Sequence, residues 1–174
     1  MNEDSNNQWT ASPSVLVQEW FRRARQNQRM HYRCADHFSH KNRLLGIPAI
    51  VISAIVGSAV FASIEFEASG TTKIIFGLLS VLAAVLVSLQ TFLSYSERAE
   101  RHRVTSARYA SVRRQLELLA AVSDLSSPES TRKLSAVQQA LDACVDAAPQ
   151  VQHSIEVAIK RELDDSRKIA GKKI

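Results

Sequence analysis

The sequence predicts an all-α membrane protein, in which a two-transmembrane helical hairpin continues into a cytosolic helical bundle or coiled coil. Two stretches, LLGIPAIVISAIVGSAVFASI at residues 44–64 and IIFGLLSVLAAVLVSLQTFL at residues 74–93, contain no Asp, Glu, Lys or Arg. Each is close to the ~20 residues that a helix needs to cross ~30 Å of hydrocarbon. Core helices of a soluble protein are the alternative, but uncharged runs of this length are uncommon in a chain of 174 residues.

The N-terminal part of the chain predicts a polar, disordered segment followed by a helix. Residues 1–12 are polar, lack the basic and apolar regions of a cleavable signal peptide, and are expected to be disordered. Ser12 and Pro13 supply a capping residue and a first-turn proline, so we predict a cytosolic helix over residues 13–43. Gly46 and Pro48 then predict either a bend or a restart of the helix at the membrane.

The distribution of arginine and lysine predicts the topology. Residues 65–73 form a short loop between the spans, and this loop holds a single Lys, whereas many basic residues flank the spans on the other side. By the positive-inside rule, we expect both termini to be cytoplasmic and the chain to be a multi-pass membrane protein. The net charge of +5 is then explained by topology and by attraction to the lipid bilayer, and we expect no direct nucleic-acid binding.

The second span predicts an uninterrupted helix that leaves the membrane and continues over residues 94–122, because no Gly, Pro or turn signal separates TFLSY from SERAERHR. A stripe of period 3.5, called the seam below, runs along this helix. Its members are Gly77, Val81, Ala84, Ser88, Thr91, Tyr95, Arg98, His102, Thr105, Tyr109, Val112, Leu116 and Leu119. The first core segment, residues 13–122, would be followed by cytosolic helices over residues 128–170, which Ser127 and Pro128 open.

Small and hydroxylated residues in the spans are the candidates for helix packing or for lining a pore. They are Ser53, Gly57, Gly77, Ser80, Ala84, Ser88 and Thr91. Small residues let transmembrane helices approach closely, either within the hairpin or between subunits. Two helices cannot enclose a water path, so a pore requires a homo-oligomer. No charged residue lies within either span, which argues against an ion-coupled transporter.

Polar residues near the cytoplasmic ends of the spans are the gating candidates: Tyr95, Arg98, His102 and His37. We expect a polar layer in which His37 or His40 meets His102, Tyr95 or an Arg. Cys34 and His37 share a helix face and admit a metal site, but the polar layer is favoured and we predict no metal. No nucleophile motif or phosphate-binding glycine loop is present, so we predict neither catalysis nor a cofactor.

Two segments resemble a known family. HFSHKNRLLGIPAIVISAIVGSAVFA and LSVLAAVLVSLQTFLSYSERAERHRVTSARYASVRRQLE resemble the two halves of the SLATT domain, a two-transmembrane effector domain associated with bacterial nucleotide-signalling systems; the match covers roughly Trp20 to Val122. The resemblance implies a pore-forming or membrane-disrupting effector of antiviral defence by abortive infection, located in a bacterial inner membrane. It also implies a separately encoded partner, such as a sensor, a nucleotide synthase or a reverse transcriptase. A membrane-anchored adapter that positions a partner, and a sensor that binds a nucleotide through its arginines, remain alternatives.

Overall fold

The computed structural model describes residues 12–65, 69–121, 125 and 127–171, and the regular structure of these residues is entirely α-helical. The helices are α1 (Pro13–Glu65), α2 (Gly70–Leu93), α3 (Tyr95–Ala120), α4 (Pro128–Asp146) and α5 (His153–Gly171). The predicted all-α fold is therefore confirmed. The predicted disorder of residues 1–12 concerns a segment that, apart from Ser12, lies outside the described residues.

Helix α1 is continuous over 53 residues and contains Pro48 in its interior. The restart of the helix that Gly46 and Pro48 suggested is thus not found. A proline removes one backbone N–H and therefore one hydrogen bond of the helical ladder. In so long a helix the bonds on either side of the proline keep the segment helical, and such prolines are tolerated in membrane-spanning helices.

The predicted uninterrupted helix from residue 74 to residue 122 is wrong at Ser94. This residue ends α2 in the left-handed conformation, with φ 46° and ψ 39°, and α3 begins at Tyr95. The Ser94 backbone N–H donates to the Gln90 carbonyl, and its hydroxyl donates to the Thr91 carbonyl. The Ser94 carbonyl in turn accepts from the Arg98 N–H. These bonds satisfy the backbone groups that the break would otherwise leave without partners.

The chain divides into two compact units. The first, called the bundle, comprises the residues up to Cys34 together with those from Arg101 onward; the second, called the hairpin, is Ala35–Glu100. The core of the bundle consists of Val17, Ala24, Tyr109, Val112, Leu116, Leu119, Leu134, Val137 and Cys144. These residues come from α1, α3 and α4, so α1 shares one apolar interior with two helices that lie far from it in the sequence.

The start of α4 and the junction between α4 and α5 follow local sequence signals. Ser127 caps α4, since its side chain accepts from the Ser130 N–H, and Pro128 occupies the first turn as predicted. Helix α4 ends at Asp146, and α5 begins at His153, after Pro149. Within the bundle, α5 contributes Ile159, which is 1% exposed.

The hairpin packs through one face of each helix. On α1 the shielded positions are Asn42, Leu45, Gly46, Ala49, Ile52, Val56 and Ala59; on α2 they are Thr72, Phe76, Leu79, Ala83, Leu86, Gln90 and Leu93. The steps of three and four residues are typical of two helices packed side by side. Only 11% of the most apolar stretch of α1 and 6% of that of α2 are buried. Helices so apolar and so exposed are typical of a lipid surrounding and not of the core of a soluble protein.

Candidate functional site

The small and hydroxylated residues of α2 lie on the face that the hairpin leaves exposed. Gly77, Ser80, Ala84, Ser88 and Thr91 are all exposed. On α1, Ser53 is exposed and Gly57 is half-buried. A Cβ atom added at Gly57 or Gly77 would meet no heavy atom within 4 Å. Packing within the hairpin therefore does not account for these five residues of α2, and this exposed face, called the small-residue face, is available to lipid or to another subunit.

The hydroxyl groups of this surface are partly satisfied within their own helix. Ser88 Oγ donates to the Ala84 carbonyl at 2.8 Å, and Thr91 Oγ1 donates to the Val87 carbonyl at 3.1 Å. On α1, Ser58 Oγ bonds the Ala54 carbonyl in the same way. Hydroxyls bonded in this manner can lie in an apolar surrounding at little cost, and they can also rotate to meet water.

A polar contact closes the hairpin near one end of α2, and sequence reasoning missed it. The Gln90 amide donates to Asn42 Oδ1 at 3.4 Å and lies over Gly46, where an added Cβ would be 2.9 Å from Gln90 Nε2. The absence of a side chain at Gly46 leaves room for the Gln90 amide between α1 and α2. The sequence signal was present, since Gln90 is the only amide of the second span, but its partner could not be read from spacing.

Substituting Gly46 should therefore separate the two helices. We expect Gly46→Leu to destabilise the hairpin by about 1–3 kcal/mol, because the added side chain overpacks the contact with Gln90. Unfolding of purified protein in mixed detergent–SDS micelles, followed by circular dichroism, measures the change. Gly77→Leu is the matched control and should be neutral, because its Cβ enters open space. Equal stability of the two variants would contradict this account of Gly46.

Of the gating candidates in the hairpin, Tyr95 packs against the neighbouring helix α1. Its ring stacks on Phe38 at a centroid distance of 6.0 Å, and Lys41 Nζ lies 5.7 Å from the ring centroid. Arg98 is exposed, and so is His37, whose ring meets the edge of Phe38. Tyr95 thus ties the first turn of α3 to α1, immediately after the left-handed residue at Ser94.

The remaining gating candidate, His102, forms a buried histidine pair in the bundle. His31 Nδ1 and His102 Nδ1 are 2.9 Å apart, and each residue is 3% exposed. On its other side, the His31 ring stacks on Tyr109 with centroids 5.8 Å apart and an interplanar angle of 11°. One imidazole donates its Nδ1–H and the other accepts, so the two rings adopt different tautomers when both are neutral.

The surroundings of the histidine pair favour its neutral form. Burial, followed by the repulsion of His102, lowers the pKa of His31 from 6.5 to about 4, and burial also lowers the pKa of His102. The expected partner of His102 was His37 or His40, both of which are exposed. The observed hydrogen bond instead uses His31, which was not the expected partner, because the pairing depends on how α1 and α3 meet.

The seam is buried in the bundle and exposed in the membrane-spanning part of α2. His102, Thr105, Tyr109, Val112, Leu116 and Leu119 are all buried. Gly77, Val81, Ala84, Ser88 and Thr91 are all exposed. The predicted continuity of the seam is therefore wrong. The break at Ser94 changes the phase of the shielded stripe, which lies at Leu86, Gln90 and Leu93 before it and at Ala99 and His102 after it.

Taken together, the two apolar helices, their exposed surfaces and the helical bundle define an all-α membrane protein with two candidate spans. The family model of the SMODS and SLOG-associating 2TM effector domain family 4 matches residues 14–156. The chain belongs to this SLATT family, as the resemblance in sequence indicated. It is accordingly a membrane effector domain of a signalling and defence context. No curated protein and no solved structure shows significant similarity to it.

Proposed function

We propose that this protein is a pore-forming or membrane-disrupting effector of bacterial antiviral defence, which acts as a homo-oligomer and causes abortive infection. The observation that carries the proposal is the small-residue face of α2. The hairpin uses the opposite face for its own packing, so Gly77, Ala84 and Ser88 remain exposed. Small residues on a lipid-exposed face are typical of surfaces through which transmembrane helices associate.

Assembly through this face would bring several copies of α2 together. The hydroxyls of Ser80, Ser88 and Thr91 would then lie at or near the subunit contacts, where they can line a weakly polar constriction. Such a constriction can close by excluding water and open after a small change in helix spacing. A charged lining is not required for this kind of gate, and the spans contain no charged residue.

The gate is proposed to respond to the bundle through the junction between α2 and α3. Ser94 adopts a conformation that is uncommon for a residue other than glycine, and Tyr95 follows it directly. Arg98 and His102 continue the same helix. A rearrangement of α3 can therefore change the end of α2 by altering the backbone angles of a single residue.

The proposed topology follows the distribution of charge, and the proposed partners follow the family to which the chain belongs. Both termini are placed in the cytoplasm of a bacterial cell, where the arginines contact anionic headgroups. The trigger is assigned to a separately encoded sensor, nucleotide synthase or reverse transcriptase. We propose no catalytic activity and no cofactor for the chain itself.

Membrane potential tests this proposal directly. Cells that express the protein with its partner should depolarise when the trigger is supplied. The Gly77→Leu variant, whose hairpin is expected to remain folded, should not depolarise them, because the added side chain keeps neighbouring copies of α2 apart. Membrane potential is followed with a voltage-sensitive dye, and self-association by cross-linking in membranes.

The membrane-anchored adapter is distinguished in the same cells. Replacing both spans with an unrelated hairpin of equal length should abolish depolarisation and growth arrest if the spans form the permeability path. If growth arrest persists with the unrelated spans, or if the potential of triggered wild-type cells stays intact, the chain is an adapter and the pore proposal fails.

A further inference from the structure

A cleft of about 370 Å³ opens on the surface of the bundle between α1 and α5. It is lined by Gln28, Arg29, Tyr32, Arg33, Ile159 and Glu162. The volume lies within the range of small-molecule sites. Ile159 supplies an apolar floor, since it is 1% exposed, and the other lining residues are polar or amphipathic. The cleft belongs entirely to the bundle and is separate from the spans.

Two guanidinium groups give the cleft a positive charge. Arg29 is exposed, and within the described part of the chain it has no ion-pair partner. Arg33 Nη2 contacts both carboxylate oxygens of Glu162, at 3.1 and 3.2 Å. This pair is more than half exposed on both sides and is therefore weak. An anion that enters the cleft can form an ion pair with Arg29 and can compete with Glu162 for the guanidinium group of Arg33.

The remaining lining groups suit a planar, hydrogen-bonding body attached to the anion. Tyr32 is 68% exposed, which leaves most of its ring free for stacking. The Gln28 side-chain oxygen is buried and has no hydrogen-bond partner among the residues that the structure describes. A buried acceptor without a partner is costly, and a ligand N–H that reaches it after a small rotation of the amide removes that cost.

We propose that this cleft binds a small phosphate ester that carries a planar ring with an N–H donor. Arg29 contacts the phosphate, Tyr32 stacks on the ring, and Gln28 accepts from the ring donor. Arg–phosphate contacts are charge-assisted and bidentate, which suits the free guanidinium of Arg29. Because the phosphate also draws Arg33 from Glu162, binding loosens a contact between α1 and α5. The proposal does not depend on the spans forming a pore.

Adenosine monophosphate, adenosine and inorganic phosphate are suitable probes, because they present the ring and anion together, the ring alone and the anion alone. We expect calorimetric titration of the intact protein in detergent to show saturable binding of adenosine monophosphate. Adenosine and phosphate should each bind at least about tenfold more weakly. Arg29→Gln and Tyr32→Ala should each weaken the binding of adenosine monophosphate by a similar factor, and since both side chains are exposed the variants should fold.

Arg25→Gln is the matched control, because Arg25 is an exposed arginine of α1 that does not line the cleft. It should leave the affinity unchanged. Equal losses in Arg25→Gln and Arg29→Gln would show that general positive charge, and not the cleft, attracts the anion. The cleft would be assigned to a lipid headgroup if a short-chain phosphatidylglycerol bound as tightly as adenosine monophosphate and if Tyr32→Ala left its affinity unchanged. Either outcome, or no saturable binding at millimolar probe, overturns the proposal.

Discussion

Replacing Leu116 with alanine is expected to destabilise the bundle by about 2–5 kcal/mol, the range found when large side chains are removed from well-packed cores. Leu116 is 0% exposed and belongs to the core cluster that joins α1, α3 and α4. The loss combines the transfer free energy of the missing methyl groups with the cavity that remains. Chemical unfolding of the detergent-solubilised protein, followed by circular dichroism, measures it.

Leu118 provides the control for this substitution. It lies on the same helix two residues later and is 72% exposed, so Leu118→Ala should change the free energy of unfolding by less than about 0.5 kcal/mol. If Leu116→Ala and Leu118→Ala lower the free energy of unfolding by the same amount, the assignment of the buried face of α3 is wrong. The pair also probes gating: when the bundle holds the spans closed, Leu116→Ala should depolarise cells without a trigger, whereas Leu118→Ala should not.

The second large effect is a loss of stability in mild acid that depends on the histidine pair. The pKa of His31 is about 4 in the folded protein and 6.5 ordinarily, so between these values the unfolded chain takes up a proton that the folded chain does not. The contribution of neutral His31 to the free energy of unfolding is therefore fully present above pH 6.5, and it is lost as the pH falls toward 4. Between pH 6.5 and pH 4.5 the loss should reach about 2–3 kcal/mol.

The histidine contribution can be separated from that of the carboxylates. Arg22 and Arg23 hold the pKa of Glu19 at about 2, below its ordinary 4.5, so the stabilisation from this carboxylate is present above pH 4.5 and is lost only below it. We expect His31→Gln to flatten the dependence between pH 6.5 and pH 4.5. His153→Gln should retain it, because His153 is exposed. An unchanged slope in His31→Gln would show that the pair does not govern acid stability.

Several parts of the fold could be predicted because the responsible signals are local or compositional. The two spans follow from the absence of charged residues over the length of a membrane-crossing helix, which no packing arrangement alters. Helix α4 begins where predicted because Ser127 and Pro128 satisfy and preset its first turn. The stripe from His102 to Leu119 was also predictable, because in a polar helix apolar periodicity marks the buried face.

The face by which α2 packs could not be predicted, because an apolar helix has no polar side to mark the exposed surface. Carrying the period of α3 back through Ser94 selected Ala84 and Ser88, whereas the hairpin shields Ala83 and Leu86. The error arises at Ser94, where a left-handed residue shifts the phase without a Gly or Asn to announce it. Hydrogen bonding of its hydroxyl to Thr91 supports that conformation.

The sequence by itself indicated an all-α membrane protein with two candidate spans, because each stretch lacks charged residues over the length that a membrane-crossing helix needs. Only the tertiary structure decided which groups meet. It paired His31 with His102, placed Gln90 over Gly46, and left Gly77, Ala84 and Ser88 of α2 exposed. These choices depend on distances between residues far apart in the chain, and such distances are set by packing and not by periodicity along one helix.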